Sequence, residues 1–337
     1  MAETLKTEML KPEEGFAISR FPNFSVWPEP RAAAGRKGGR HSRRPVDGEG
    51  RMMADWRKRV KTMNTDLAGK VILVTGASGG LGSAMARAFA AEGARLVLHF
   101  HSRQAEAERL AGELGAAETL ATGADLRDEA QVRALFAEAG RRFGRVDTLV
   151  ANAGVWCERD VPIADMSLVQ WQETLAADLT SVFLCCREFL QLVRTQGQGN
   201  IVVIGSTAGV FGEPGHGDYA AAKSALAYGF TRTLKNEIAR LAPHTASYCG
   251  GRVNCVCPGW TVSPMTEKHL EDHEMVRRVT ATMALPQIAR ADDIAHAVVY
   301  LASDKLARHI TGQTLVVAGG MEGRWLWRPE EVDPATA

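Results

Sequence analysis

The amino-acid sequence lacks the features that define several large classes of protein. No apolar run approaches the roughly 18 residues of a membrane-spanning helix, and no C-x-x-C pair occurs among its six cysteines. The 40 basic and 39 acidic residues leave a formal net charge of only +1, whereas a dedicated nucleic-acid binder carries a broad positive field. We therefore expect a cytoplasmic protein with no membrane partner, no nucleic-acid partner and no bound metal.

Residues 1–62 differ in composition from the rest of the chain. They contain few regularly spaced apolar residues, several prolines and glycines, and a basic run between Arg36 and Arg44, which is typical of a disordered extension. No apolar segment of a secretory signal is present, and several acidic residues argue against a transit peptide. Two interpretations remain: a disordered basic extension, or a start codon placed too early, with the true start at Met63.

From Leu67 onward, short apolar runs alternate with amphipathic stretches, as in parallel strands covered by helices. The predicted strands are residues 71–75, 95–100, 118–123, 146–151, 200–205, 252–257 and 314–318. The clearest predicted helices are residues 82–92, 168–195, 217–241 and 292–303. The sequence thus predicts an α/β fold: a single Rossmann-type doubly wound domain at residues 63–320, with a seven-stranded parallel sheet between helices, followed by a tail at 321–337.

A glycine-rich turn, T-G-A-S-G-G-L-G at residues 75–82, follows the first predicted strand and opens a helix. Glycine lets the backbone approach a pyrophosphate closely, and the free N–H groups at a helix start bind such an anion. Glycine-rich turns also serve as plain strand-to-helix connections, so the turn alone is moderate evidence. Its position between a strand and a helix favours a dinucleotide site.

Tyr219 and Lys223 lie four residues apart on a predicted helix, which places their side chains on one face. A phenol titrates near 10, so catalysis at neutral pH needs a nearby cation to stabilise the phenolate. A charge about 5 Å away supplies roughly 3 kcal/mol, or about two pKa units. Ser206, thirteen residues before Tyr219, follows an apolar strand. The spacing alone also fits an ordinary surface pair of tyrosine and lysine.

Together, the turn at 75–82, Asn152-Ala153-Gly154, Ser206 and the Tyr219-x-x-x-Lys223 pair resemble the short-chain dehydrogenase/reductase family. The resemblance covers about residues 65–320. Residues 215–223 and 285–290 look similar to 3-oxoacyl-carrier-protein reductases within that family. The resemblance implies hydride transfer between a nicotinamide cofactor and a carbonyl or secondary alcohol. Tyr219 would be the acid/base, Ser206 would hold the substrate oxygen, and Lys223 would also hold the nicotinamide ribose.

The same resemblance implies a set of cofactor-binding residues. The set is Gly76, Ser78, Gly80, Leu81, Gly82, His101, Ser102, Arg103, Asp125, Leu126, Asn152, Ala153, Gly154, Tyr219, Lys223, Pro258, Gly259 and Ser263. NAD enzymes carry an acid at the end of the second strand to bind the ribose 2′-hydroxyl. Here His101, Ser102 and Arg103 stand at that place, and a guanidinium accepts a 2′-phosphate. We therefore expect NADP(H); if Arg103 is only a solvated helix residue, NAD(H) is used as well.

One residue of the catalytic set departs from the family pattern. Asp178 stands where the family usually has Asn, which leaves the fourth catalytic role open. A carboxylate near Lys223 favours its ammonium form but weakens its net pull on the Tyr219 phenol. We hypothesise that Asp178 raises the pH optimum.

The identity of the substrate depends on the segments around the predicted site. Trp156, His216 and Trp260 either line a substrate pocket or serve as packing, and residues 260–284 resemble the family's substrate-covering lid. The leading expectation is a 3-oxoacyl thioester, free or linked to an acyl carrier, with the enzyme a homotetramer. The alternatives are an NAD-dependent alcohol or sugar dehydrogenase and an NADP(H)-binding regulatory protein without significant turnover.

Overall fold

The computed structural model describes residues 64–115, 118–322 and 329–335. The predicted extension at 1–62, the candidate start Met63 and residues 323–328 and 336–337 of the predicted tail lie outside these residues. The strands are β1 (Val71–Val74), β2 (Arg95–Phe100), β3 (Thr119–Gly123), β4 (Thr148–Ala151), β5 (Asn200–Ile204), β6 (Arg252–Pro258) and β7 (Thr314–Val317). They form one parallel sheet in the order β3-β2-β1-β4-β5-β6-β7.

The helices connect the strands and cover the sheet. They are α1 (Gly80–Ala91), α2 (Gln104–Leu114), α3 (Glu129–Phe143), α4 (Leu168–Leu175), α5 (Ser181–Gln196), α6 (Thr207–Phe211), α7 (Gly217–Ala225), α8 (Thr231–Leu241), α9 (Glu267–Leu270), α10 (His273–Thr280) and α11 (Ala291–Ala302). Short 3₁₀ turns lie at Ile163–Asp165 and Pro329–Glu331. None of the helices in the described ranges is both long and apolar enough to cross a membrane.

The central strands are buried on both faces because successive side chains point to opposite sides of a strand. Leu73 of β1 packs into a cluster with α3, α5 and α8, whereas Ile72 and Val74 pack into a second cluster with α1 and α11. This two-sided burial explains why the strands read as continuous apolar runs. The predicted seven-stranded parallel sheet with helices on both faces is confirmed.

The direction of the strand order reverses at β1, which pairs with β2 on one side and β4 on the other. Ligands of doubly wound sheets bind in the crevice at the carboxyl ends of the strands at such a switch point. The turn after β1 and the loop after β4 therefore face the same crevice.

The two longest predicted helices contain irregular turns. Residues 168–195 divide into α4, a π turn at Ala176–Thr180, and α5; residues 217–241 divide into α7, a π turn at Leu226–Phe230, and α8. A π turn has hydrogen bonds one residue longer than those of an α-helix, which shifts the side chains around the axis, and such turns are frequent at functional sites. The spacing of apolar residues does not reveal the π turns, because the same spacing continues on both sides of each turn.

Candidate active site

A cavity of about 740 Å³ opens at the carboxyl ends of the strands. Every residue of the predicted cofactor-binding set lines it, as do Ser206 and Asp178. Within the predicted set, residues as far apart in the chain as Gly76 and Ser263 thus meet in one crevice. The cavity has two ends: one beside β2 and β3, which carries His101 and Arg103, and one beside Tyr219.

The glycine-rich turn has the close backbone contacts that exclude side chains. Gly76 has φ +66°, in the left-handed region that favours glycine. A Cβ on Gly82 would stand 2.1 Å from the carbonyl oxygen of Gly76. Gly79 precedes α1 and supplies no side-chain cap, so the first N–H groups of the helix are available to an anion.

Two polar side chains fix this turn to the neighbouring strands. Asn152 Nδ2 donates to the carbonyl oxygen of Thr75 at 2.8 Å, and Thr75 Oγ1 accepts from the N–H groups of Asn152 and Ala153 at 2.8 and 2.9 Å. On the other side, His99 Nδ1 accepts from the Gly76 N–H at 3.0 Å. The loops after β1 and β4 therefore hold each other in place.

Sequence reasoning missed His99. Its Nε2 lies 2.9 Å from the carbonyl oxygen of Ala124, and burial lowers the pKa of the ring to about 4 despite that hydrogen bond. The ring is thus neutral at pH 7, with Nε2–H donating to Ala124 and Nδ1 accepting from Gly76. A histidine between Leu98 and Phe100 in an apolar strand was the available signal.

The end of the cavity beside β2 carries three basic side chains. His101 and Arg103 follow β2, as predicted, and Arg127 joins them from the loop after β3. Arg127 holds Asp125 through two contacts, Nε to Oδ1 at 2.9 Å and Nη2 to Oδ2 at 2.7 Å. This hydrogen bonding lowers the pKa of Asp125 to about 2. Sequence reasoning also missed Arg127, because its position near β2 depends on the β2–β3 pairing.

The predicted catalytic residues meet at the other end. Ser206 is the N-cap of α6, with its Oγ accepting from the Ala208 N–H at 3.1 Å, and its hydroxyl acts to lower the pKa of Tyr219. Lys223 Nζ lies 5.5 Å from the centroid of the Tyr219 ring. It also donates to the carbonyl oxygen of Ile204 at 3.4 Å.

Asp178 lies in the first π turn and forms a buried ion pair with Lys223, with 3.3 Å between Oδ1 and Nζ. Its Oδ1 also accepts from the Val155 N–H at 3.1 Å, while Oδ2 has no hydrogen-bond partner. Burial raises the pKa of Asp178 against the opposing charge of Lys223. For Lys223, burial lowers the pKa, but the charges of Asp178 and Tyr219 outweigh it, and the net direction is upward.

The pKa of Tyr219 is raised overall. Burial is the largest cause, and the Asp178 and Glu213 charges add to it, whereas Lys223 and the Ser206 hydrogen bond lower the value. Lys223 thus acts in the direction expected from the sequence, but its pull does not outweigh burial and the two carboxylates. The charge of the Lys223 ammonium is partly cancelled by its own partner, Asp178.

Aromatic side chains form part of the cavity wall. Trp156 and Trp260 line it, and His216 is buried behind Trp156, with the two rings stacked at 4.8 Å between centroids. Trp156 also meets Trp260 and His269 edge to face, at 6.2 and 5.1 Å. The predicted lid begins here, since Trp260 and Ser263 both border the cavity.

The structure also places the cysteines. Cys255 and Cys257 lie on one face of β6, with 3.8 Å between their sulfur atoms, and both are buried. In the described ranges, no group of three or more histidine, cysteine or acidic side chains is arranged to hold a metal ion. Cys255 and Cys257 pack against Gly205, where a Cβ would stand 2.6 Å from the Cys257 sulfur. This close contact fits a packing role for the two cysteines.

The fold and the cavity define an α/β protein whose glycine-rich turn, Ser206, Tyr219 and Lys223 face one crevice. Residues 76–322 match a family model described as enoyl-(acyl carrier protein) reductase. The chain belongs to the short-chain dehydrogenase/reductase family.

Several curated proteins are similar over most of the chain. A 3-oxoacyl-[acyl-carrier-protein] reductase of Synechocystis sp. is 36% identical over 259 residues, 76% of this chain and 98% of the relative. A nodulation protein G of Rhizobium sp. is 38% identical over 256 residues, with the same two shares. A crystal structure from Agrobacterium tumefaciens, assigned as a gluconate dehydrogenase, has a TM-score of 0.70 and 27% identity over 77% of this chain and 98% of its own.

Gly154 packs directly on the ion pair, and its replacement by alanine is expected to disturb the site. A Cβ there would stand 2.4 Å from Asp178 Oδ1 and 3.0 Å from Lys223 Nζ. Because both atoms are buried, Gly154→Ala should cost about 1–3 kcal/mol of unfolding free energy and weaken dinucleotide binding. Urea denaturation and fluorescence titration with NADPH measure the two effects.

Gly112→Ala is the matched control. A Cβ on Gly112, in α2, would meet nothing within 4 Å, so this change should leave stability unchanged or raise it by up to about 1 kcal/mol. Equal behaviour of the two variants would contradict the packing role of Gly154.

Proposed function

We propose that the protein is an NADP(H)-dependent oxidoreductase that interconverts a carbonyl compound and a secondary alcohol, with Tyr219 as the acid/base. The observation that carries this proposal is that Ser206, Tyr219 and Lys223 line the same cavity as the glycine-rich turn. The reductases of Synechocystis sp. and Escherichia coli, 36% and 35% identical to this chain, support the reaction class.

The cavity fits a nicotinamide dinucleotide. The turn at Gly76 and Gly82 has no room for a Cβ and presents uncapped N–H groups, which suit a pyrophosphate. In this proposal Asn152, Pro258, Gly259 and Ser263 contact the nicotinamide half. When bound, the nicotinamide supplies the hydride to the carbonyl carbon, or accepts it from the alcohol carbon.

The side chains of this protein handle the oxygen and the proton. In reduction, the Tyr219 hydroxyl gives its proton to the substrate oxygen as the carbonyl carbon receives the hydride, and in oxidation the Tyr219 phenolate takes the proton back. Ser206 donates a hydrogen bond to the same oxygen and stabilises the negative charge that develops on it. Lys223 stabilises the phenolate through its positive charge. Asp178 acts through Lys223, because it touches the ammonium and not the reacting oxygen.

The choice of NADP(H) is supported by the three basic side chains at the β2 end of the cavity. His101, Arg103 and Arg127 border it, and a 2′-phosphate would find two guanidinium groups there. Arg127 is already paired with Asp125, which leaves Arg103 as the principal partner. An NAD-dependent alcohol or sugar dehydrogenase is the alternative and predicts that Arg103 has no effect on cofactor choice.

A 3-oxoacyl thioester, free or acyl-carrier-linked, is the candidate substrate supported by the names of the curated relatives. We also propose a homo-oligomer, with a tetramer as the expected state, because Leu168, Val169 and Phe183 are exposed near one another in the chain. A cytoplasmic location accords with free cysteines at all six positions. We also propose that residues 63–320 form the single domain, between the extension at 1–62 and the tail at 321–337.

Replacing Tyr219 by phenylalanine tests the acid/base role. Tyr219→Phe should lower kcat by about 10²–10⁴-fold, because general acid–base catalysis supplies about that much, with the dissociation constant for NADPH nearly unchanged. Steady-state oxidation of NADPH with a panel of acyl, sugar and cyclic ketones measures the rate, with Tyr228→Phe on the following π turn as the control. Full activity in Tyr219→Phe would overturn the proposed acid; binding of NADPH with no turnover by the wild type would favour the regulatory alternative.

Replacing Arg103 by alanine tests the cofactor assignment. Losing a charge-assisted contact to a 2′-phosphate should raise KM for NADPH by about 10–100-fold and leave KM for NADH within about twofold. Arg109→Ala is the control, because Arg109 lies on the same helix and is 69% exposed, paired with Glu113. Equal changes for the two cofactors would mean that Arg103 does not read the 2′-phosphate.

The Asp178 carboxylate should shift the pH dependence of the reaction upward. Because its charge raises the pKa of Tyr219, Asp178→Asn should move the rising limb of the pH–rate profile for alcohol oxidation to lower pH, by about one unit. The pKa of Lys223 loses a stabilising charge at the same time, so any falling limb should also move down. Asp165→Asn, at an exposed acid, is the control. If the Asp178→Asn profile superimposes on that of the wild type, the Asp178 charge does not set the pH dependence.

A further inference from the structure

Within the described residues, one carboxylate that lines the cavity, that of Glu213, is paired with neither a lysine nor an arginine. Glu213 lines the cavity, and its side chain is 25% exposed. The other acids there are paired: Asp178 with Lys223 at 3.3 Å and Glu158 with Lys268 at 3.4 Å. Within the described parts of the chain, neither lysine nor arginine forms an ion pair with Glu213; its nearest cationic candidate is His216.

His216 does not supply a hydrogen to Glu213 while its ring is neutral. Its Nε2 lies 2.8 Å from the carbonyl oxygen of Cys157, and because a carbonyl only accepts, Nε2 must carry the hydrogen. Nδ1 is then an acceptor; it is buried without a hydrogen-bond partner, 3.9 Å from Glu213 Oε1. Two acceptors thus face each other, and the nearby Asp160 adds a further negative charge.

Trp156 lies beside the same carboxylate and belongs to a group of aromatic side chains. Trp156 stacks on His216 and interacts through its side chain with Glu213, and Trp260 meets Trp156 edge to face. Indole faces attract cations, and a ring of aromatic groups with a carboxylate is a recognition arrangement for ammonium groups. A phosphate-bearing carrier arm would instead meet an uncompensated negative charge.

We propose that Glu213, Trp156 and Trp260 form a subsite for a protonated amine, so that amino ketones and amino alcohols are preferred over the 3-oxoacyl thioesters that the names of the relatives suggest. This inference rests on the proposed carbonyl–alcohol reaction and names its substrate class. The ammonium group binds to Glu213 while the carbonyl end lies at Ser206 and Tyr219. The amine itself does not react: one hydride goes to the carbonyl carbon, and one proton goes from Tyr219 to the oxygen.

The subsite lies close to the reacting groups. The Glu213 charge is near enough to raise the pKa of Tyr219, and Glu213 lies six residues before Tyr219 in the segment that joins α6 to α7. Glu213, Ser206 and Tyr219 all line the same cavity, so one bound molecule can reach the carboxylate and the reacting groups.

Matched pairs of ketones test this proposal. One pair is 4-piperidone with cyclohexanone, and the other is 3-quinuclidinone with its carbocyclic analogue. For each ketone, kcat/KM is measured at a pH at which the amines are protonated. The charged member should be preferred by at least about tenfold, the effect of one charge-assisted contact. In Glu213→Gln that ratio should fall towards one. The ratio of the two kcat/KM values is compared because removing the Glu213 charge also changes the pKa of Tyr219. That change affects both ketones of a pair equally.

Two further measurements keep the outcomes distinct. Glu237→Gln, at an exposed acid of α8 outside the cavity, should keep the wild-type ratio. Calorimetric titration of the protein with 4-hydroxypiperidine and with cyclohexanol compares binding without turnover. Equal binding of the two alcohols, or an amine preference that persists in Glu213→Gln, would overturn the subsite. Amine-selective binding with no reduction of any ketone would overturn the proposed reaction and leave the subsite standing.

Discussion

The buried contact between Lys223 and Asp178 joins three separate parts of the fold. Asp178 comes from the π turn between α4 and α5, Lys223 comes from α7, and Gly154 from the loop after β4 packs against both charged atoms. Removing charged groups from water costs several kcal/mol per ion. The buried ion pair is therefore stable only while the π turn, α7 and the loop after β4 keep their relative positions. The contact therefore ties the nucleotide-binding loop, through Gly154, to the helix that carries Tyr219.

The ion pair also determines how strongly Lys223 acts on Tyr219. An isolated ammonium at this distance would lower the pKa of the phenol, but Asp178 offsets part of that charge and Glu213 opposes it from the substrate side. The two ends of the cavity thus have opposite electrostatic character. Basic side chains cluster where an anionic cofactor group is expected, and the Glu213 carboxylate, which pairs with neither lysine nor arginine in the described residues, faces the position proposed for the substrate.

Much of the fold was predictable because its signals are local. The apolar runs located the seven strands to within about two residues, and the glycines at 76–82 located the strand-to-helix turn. The four-residue spacing of Tyr219 and Lys223 placed both on one helix face. The π turns at Ala176–Thr180 and Leu226–Phe230 were not predictable, because the apolar period continues through them. His99 and Arg127 were missed because their contacts cross from one strand to the next.

The sequence by itself determined the strand-to-helix order, the glycine-rich turn, the Tyr219–Lys223 spacing and the carboxylate-free turn after β2. Each of these depends on residues a few positions apart, where backbone geometry fixes the relation between side chains. Only the tertiary structure decided that Asp178 touches Lys223, that Arg127 joins Arg103, and that Glu213 lies beside Trp156 and His216 with no lysine or arginine paired to it in the described residues. Those relations depend on distances between segments that are far apart in the chain. Electrostatic energies depend on the distance between the charged groups and on how deeply the groups are buried.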